Sequence, residues 1–184
     1  LSPYDRFVTR LSRRDLLRLG SLLGLGTIAA TLGAARLLGK PLFAAPVASD
    51  AYLKFLVTEL KPAIDTRYAV SPRREDTFVA GSSMGGLISM CALLEYPEVF
   101  GGAACLSTHW PGAFDPDDPA IPDAFLAYLG ERLPAPGRHR LWFDHGTETI
   151  DAWYGKTQVR VDALLAARGW REPRWSSRVY PGTD

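Results

Sequence analysis

The chain has 184 residues, 47% of them hydrophobic, with 21 Lys and Arg against 20 Asp and Glu and a formal net charge of +1. That apolar content argues against intrinsic disorder, and the length favours one domain with a core of its own. The near balance of charge leaves no electrostatic footprint for nucleic acid, so no nucleic-acid partner is expected.

Residues 1–48 differ in character from the remainder of the chain. Ser12-Arg13-Arg14-Asp15-Leu16-Leu17-Arg18 precedes a weakly apolar run from Leu19 to Ala35, loosened by Gly20, Gly24, Gly26 and Gly33 and followed by Ala44, Ala45 and Ala48. A basic pair, a short apolar stretch and an alanine-rich end are the composition of a secretory leader. The S-R-R-x-L-L order is similar to a twin-arginine export signal. The other reading is an N-terminal anchor or amphipathic helix, although about 17 residues is short of the ~20 that a membrane span needs. The expected location is therefore exported, periplasmic or secreted, and cytoplasmic if the leader does not function. A membrane enters only through an uncleaved leader.

Residues 49–184 carry the pattern of a folded domain. Leu53, Leu56, Val57, Leu60 and Ile64 recur at helical spacing behind a cap at Ser49 or Asp50, with Pro62 near the end, and predict a helix packed on a sheet. A polar connection from Ser71 to Asp76 leads to a short strand, Thr77 to Ala80, then to Gly81-Ser82-Ser83-Met84-Gly85-Gly86 and a helix ending around Glu95-Tyr96-Pro97. Gly102 to Ser107 reads as a second strand, and Asp115 to Pro122 as an irregular loop. Ala124 to Leu133 reads as a helix, Arg140 to Asp144 as a third strand and Gly146 to Asp151 as a loop. Trp153 to Arg168 is a helix stopped by Gly169, and Ser176 to Tyr180 is a fourth strand. Strands separated by helical patterns imply an α/β fold with a parallel sheet and helices on its faces. Polar residues at the carboxyl ends of such strands converge on one crevice. Cys91 and Cys105 lack metal-ligand spacing and read as buried thiols, with a single disulfide possible in an exported protein.

The stretch from Gly81 to Gly86 contains G-x-S-x-G between a strand and a helix, the pattern of a nucleophile elbow, which holds a serine on a sharp turn with its hydroxyl exposed. Its glycines are expected where the turn leaves no room for side chains. From about Ser49 to Asp184 the sequence resembles the putative-esterase family of α/β-hydrolases. The matching pieces are G-S-S-M-G-G at Gly81 to Gly86, Y-P-E-V-F at Tyr96 to Phe100 and S-T-H-W at Ser107 to Trp110. F-D-H-G-T-E-T-x-D at Phe143 to Asp151 and Y-P-G-T-D at Tyr180 to Asp184 complete them.

The resemblance implies a three-layer α/β-hydrolase fold and a triad in the order serine, acid, histidine, with no metal or organic cofactor. Ser83 is the expected nucleophile, and the N–H of Met84 an oxyanion donor. Asp151 is the expected acid, Glu148 the alternative, and Asp144 a structural carboxylate. The base should follow the acid, yet His109, His139 and His145 all precede Asp151. Relatives continue Y-P-G-x-D with a histidine, so the expected base falls after Asp184. His109 either lines the crevice, beside Trp110, or is structural; His139 is expected to be inert, and His145 to stand near the acid loop. Trp110, Trp142 and Trp153 lie near the crevice but also read as core. Only 28 residues separate the leader from the elbow strand, so the early strands of the family fold are not expected and the hydrolase reads as partial, with an open edge at the elbow strand.

Two functions are compatible with these residues. One is a serine esterase or acyltransferase acting on a small-molecule or carbohydrate ester, with little turnover expected from these residues alone. The alternative is a noncatalytic binding or membrane-tethered remnant of the hydrolase scaffold.

Overall fold

The computed structural model describes residues 48–112 and 116–184. The leader-like segment lies outside them, apart from Ala48. The order of elements is α1 (Ala48–Phe55), a π-helical turn (Leu56–Leu60), α2 (Lys61–Arg67), β1 (Phe78–Ser82), α3 (Met84–Glu95), β2 (Gly102–Leu106), α4 (Ala120–Arg132), β3 (Arg140–Gly146), a 3₁₀ turn (Asp151–Trp153), α5 (Gly155–Ala167) and β4 (Trp175–Tyr180). The four strands form one parallel sheet in the order β1-β2-β3-β4. This is the α/β class expected. Each crossover returns the chain to the same end of the sheet, so the turns after β1, β2 and β3 and the chain beyond β4 gather at the carboxyl edge.

Alternate strand residues go to different environments because side chains on a strand point to opposite faces. Ala103, Cys105, Leu141 and Phe143 are buried and share one core with Leu87, Met90 and Leu93 of α3, Phe125 and Leu129 of α4, and Val161 and Leu165 of α5. On the other face Phe78 is 53% exposed. A groove of about 500 Å³ runs there between Phe78, Ala80, Ala104, Trp142, Glu172 and Arg178. Cys91 and Cys105 are both buried and outside any disulfide, and burial pushes the Cys105 thiol pKa up, which keeps it an inert core thiol.

Three expectations change. The first helix does not end near Pro62 but continues to Arg67. A proline lacks an N–H and its ring crowds the carbonyl four residues back. The helix accommodates this with a wider turn in which the Lys61 N–H donates to the Leu56 carbonyl. Nor does its apolar stripe pack as a whole: Leu53 is buried, but Leu60 and Ile64 are 41% and 37% exposed, because no described element covers them. Finally, α4 begins at Ala120 rather than Ala124, since the Asp118 carboxylate accepts the Ala120 N–H at 2.9 Å and Pro122 fits the first turn, where a missing N–H costs nothing.

Candidate active site

The elbow is built by strain and close approach. Ser83 has φ 58° and ψ −118°, outside the regions open to most L-residues. It is pinned there by its own backbone. The Ser83 N–H donates to the Leu106 carbonyl at 2.9 Å, and the Ser83 carbonyl accepts from Gly86 at 3.0 Å and from His109 at 3.2 Å. A Cβ on Gly81 would stand 2.4 Å from the Gly85 carbonyl oxygen, so the strand must be glycine where the helix returns past it. Gly85 differs from expectation: a Cβ there would meet nothing within 4 Å. What matters at Gly85 is its backbone, against which Gly81 packs. Ser83 is exposed and directly precedes α3. Met84 is the first residue of that helix, so its N–H is among the donors a helix leaves unpaired, at the positive end of the helix dipole.

Asp151 lies past the end of β3 and is 6% exposed. Its Oδ2 accepts the Ser107 hydroxyl at 2.6 Å and the Gly146 N–H at 2.7 Å. One carboxylate oxygen is thus held by two donors, the arrangement that fixes an ionised acid in one orientation. Ser107 reaches it from a positive φ of 38° directly after β2. Glu148 is exposed, and Asp144 accepts the Trp142 indole N–H at 2.9 Å and the Ser107 N–H at 3.3 Å, as a structural carboxylate does.

The segment after β4 is fastened to this acid loop. The Thr183 carbonyl accepts the N–H groups of Thr147 at 2.8 Å and Glu148 at 3.0 Å. The Thr147 hydroxyl accepts the Gly182 N–H at 2.8 Å, and the Thr149 hydroxyl donates to the Asp184 carboxylate at 2.9 Å. Gly146 permits the approach, for a Cβ there would fall 1.9 Å from the Thr183 oxygen. The chain therefore arrives at Asp184 beside the loop that carries Asp151.

The three histidines separate. His139 has its Nε2 2.8 Å from the Pro97 carbonyl, at the start of β3 and away from the elbow. His145 has its Nδ1 2.6 Å from the Gly146 carbonyl and its ring beside Gly155. His109 stands next to the elbow, with its Nδ1 3.0 Å from the Tyr154 hydroxyl. Trp110, read as crevice or core, takes the core in the structure. It is fully buried, donates its indole N–H to Gln158 at 3.0 Å and packs on Phe125 and Phe143, because the turn after β2 directs its side chain into the core. Sequence reasoning missed Ser107 and Tyr154. The signal available for both was position, Ser107 at a strand end and Tyr154 three residues past the acid.

A family model described as "Putative esterase" matches residues 44–172. The chain belongs to that family. Among solved structures similar to this chain, the enterobactin esterase FES from Shigella flexneri superposes with a TM-score of 0.57 at 23% identity, over 73% of this chain and 33% of that one. An IroE-like serine hydrolase from Shewanella oneidensis gives a TM-score of 0.57 at 20% identity, over 78% of this chain and 45% of that one. Uncharacterized protein YbbA of Bacillus subtilis strain 168 is 35% identical over 60 residues, 32% of this chain and 24% of that protein. The chain thus spans less than half the length of each of these relatives. The structural likenesses concern the fold.

Proposed function

We propose that this chain carries the nucleophile and acid of a serine carboxylic-ester hydrolase that works through an acyl-enzyme on Ser83. The observation that supports it is the joint placement at one sheet edge of a strained, exposed serine at a helix N-terminus, a buried carboxylate held on one oxygen, and the segment ending at Asp184. In this reading the base is a histidine placed directly after Asp184. It takes the Ser83 proton as the serine oxygen attacks the ester carbonyl, and returns a proton to the leaving alcohol. The oxyanion is held by the Met84 N–H, Asp151 orients the imidazole, and water or another acceptor then releases the acyl group. The substrate class is a small-molecule ester. The solved enterobactin esterases and a ferulic acid esterase of this fold are named for esters of that kind. Export from the cytoplasm is part of the proposal and rests on the Ser12 to Arg18 pattern alone.

The test compares p-nitrophenyl acetate hydrolysis by the 184-residue chain with the same chain extended past Asp184 by a histidine. The extended chain should turn over faster. In it, Ser83→Ala should remove that gain and Asp151→Asn should cost roughly 10² to 10⁴-fold in kcat. Equal rates with and without the Ser83 hydroxyl would overturn the reading.

A further inference from the structure

Both donors to the acid converge on one of its two oxygens. Asp151 Oδ2 accepts the Ser107 hydroxyl at 2.6 Å and the Gly146 N–H at 2.7 Å, whereas Oδ1 accepts no hydrogen bond from the described residues and is not sealed in. One donor is main chain and part of the acid loop itself. The other is a side chain from a different strand end.

The sheet places Ser107 for this contact. β2 lies between β1, which leads into Ser83, and β3, which leads toward Asp151. The carbonyl of Leu106, the last residue of β2, holds the Ser83 N–H at 2.9 Å, and the next residue turns its hydroxyl the other way, to Asp151. The Ser107 backbone is itself held. Its N–H donates to the Asp144 carbonyl at 2.8 Å, with the Asp144 Oδ1 at 3.3 Å, and the Asp144 Oδ2 accepts the Trp142 indole N–H at 2.9 Å. At φ 38° Ser107 occupies backbone that glycine takes freely and most other residues avoid. A side chain kept on strained backbone by this many bonds points to a use for the group it aims.

We propose that Ser107 is a positioning residue for the acid. Its hydroxyl, with the Gly146 N–H, occupies Oδ2 and turns the carboxylate so that Oδ1 alone is presented to the imidazole of the base. Because Ser107 directly follows the residue that pins Ser83, it also sets where the acid stands relative to the nucleophile. The inference rests on Ser83 and Asp151 being nucleophile and acid, as proposed above.

Without the Ser107 hydroxyl, the Gly146 N–H is the one donor left on Oδ2. A single hydrogen bond does not stop the carboxylate from rotating about its Cβ–Cγ bond, and the imidazolium formed during attack then meets an oxygen that is off line. Misplacement by about 1 Å in a catalytic constellation costs up to ~10²-fold in rate. The ester does not touch Ser107, so the loss belongs to kcat and not to KM.

The test is p-nitrophenyl acetate hydrolysis by the full chain extended past Asp184 by a histidine, with Ser107→Gly and Ser107→Ala. Both variants lack the hydroxyl, but glycine relaxes the positive φ and alanine keeps the strain, so glycine should melt higher. Each should lose about 10-fold to 10²-fold in kcat, with KM held within about twofold. Melting of the same variants in the 184-residue chain measures the structural cost separately. In an Asp151→Asn background, Ser107→Gly should cost less than about twofold, because Ser107 acts only through that carboxylate. Full kcat in Ser107→Gly would overturn the proposal, since the hydroxyl would then be dispensable. A loss of equal size in both backgrounds would overturn it too, as would kcat values that follow the melting temperatures of the two variants. In each of these cases a Ser83→Ala variant that abolishes turnover leaves the esterase reading standing. If Ser83→Ala changes nothing in the extended chain, the esterase reading fails and the positioning role falls with it.

Discussion

Ser83 keeps φ 58° and ψ −118° because its N–H is held by the Leu106 carbonyl and its carbonyl by the Gly86 and His109 N–H groups. Backbone outliers of this type cost on the order of 1–3 kcal/mol and persist only where the surroundings over-determine them. The two glycines of the motif share that task unequally. Gly81→Ala should destabilise the fold by ~2 kcal/mol or more, because its Cβ would press into the Gly85 backbone at 2.4 Å. Gly85→Ala has open space and should change stability by less than about 1 kcal/mol. Urea unfolding of the two variants checks this, and equal losses would show that the contact does not define the turn. At this scale the sequence was readable where placement is set by adjacent residues, as for the tight turn at Gly81 and the position of Ser83 and Met84 at the start of α3. It was unreadable for Ser107, whose hydroxyl finds Asp151 44 residues away, and for Trp110, whose partners Phe125, Phe143 and Gln158 lie on other elements.

The strands and helices were legible for a physical reason: each is a short run with its own period, punctuated by Gly, Pro or Asp, and a parallel sheet results from their alternation. Boundaries failed where local chemistry overrode the punctuation, as at Pro62, absorbed by a π-helical turn, and Pro122, placed in a first turn. The most exposed consequence of the topology is β1. Among the described residues it pairs with β2 alone, and its Phe78 lies 53% exposed beside Gly102. An unpaired strand edge flanked by an exposed aromatic is a template for self-association, and lysine is the residue that most effectively discourages it. Phe78→Lys should therefore raise severalfold the protein concentration at which light scattering first rises, while the melting temperature stays within a few degrees. An unchanged onset would show that the edge of β1 is not where copies meet.

Across the whole molecule, α1 is tied to the helix layer at one titratable point. Asp50, in the first turn of α1, has its carboxyl pKa raised to about 7, first by burial and second by the charge of Glu95 at the end of α3. Glu95 itself accepts the Tyr128 hydroxyl and pairs with Arg132 at 3.4 Å, so it is held in place as a negative neighbour. The positive end of α1 favours an ionised Asp50, but burial and Glu95 outweigh it. Because the folded pKa lies above that of the unfolded chain, the native state binds the proton more tightly. The contribution of Asp50 to stability is therefore fully present below about pH 4, declines as pH rises and is lost by about pH 7. The carboxyls of Glu75, held low by the Arg74 hydrogen bond, and Asp76, held low by Ser71 and Arg73, impose the opposite slope, so the quantity to follow is the difference between wild type and Asp50→Asn. Asparagine keeps the shape of a neutral Asp50 and never ionises. The two proteins should melt at nearly the same temperature at pH 4, the variant should gain steadily between pH 4 and 7, and the gap should stay constant from pH 7 to 9. A gap that does not change with pH would mean that Asp50 is ionised in the folded protein throughout, and that α1 does not bury it against Glu95.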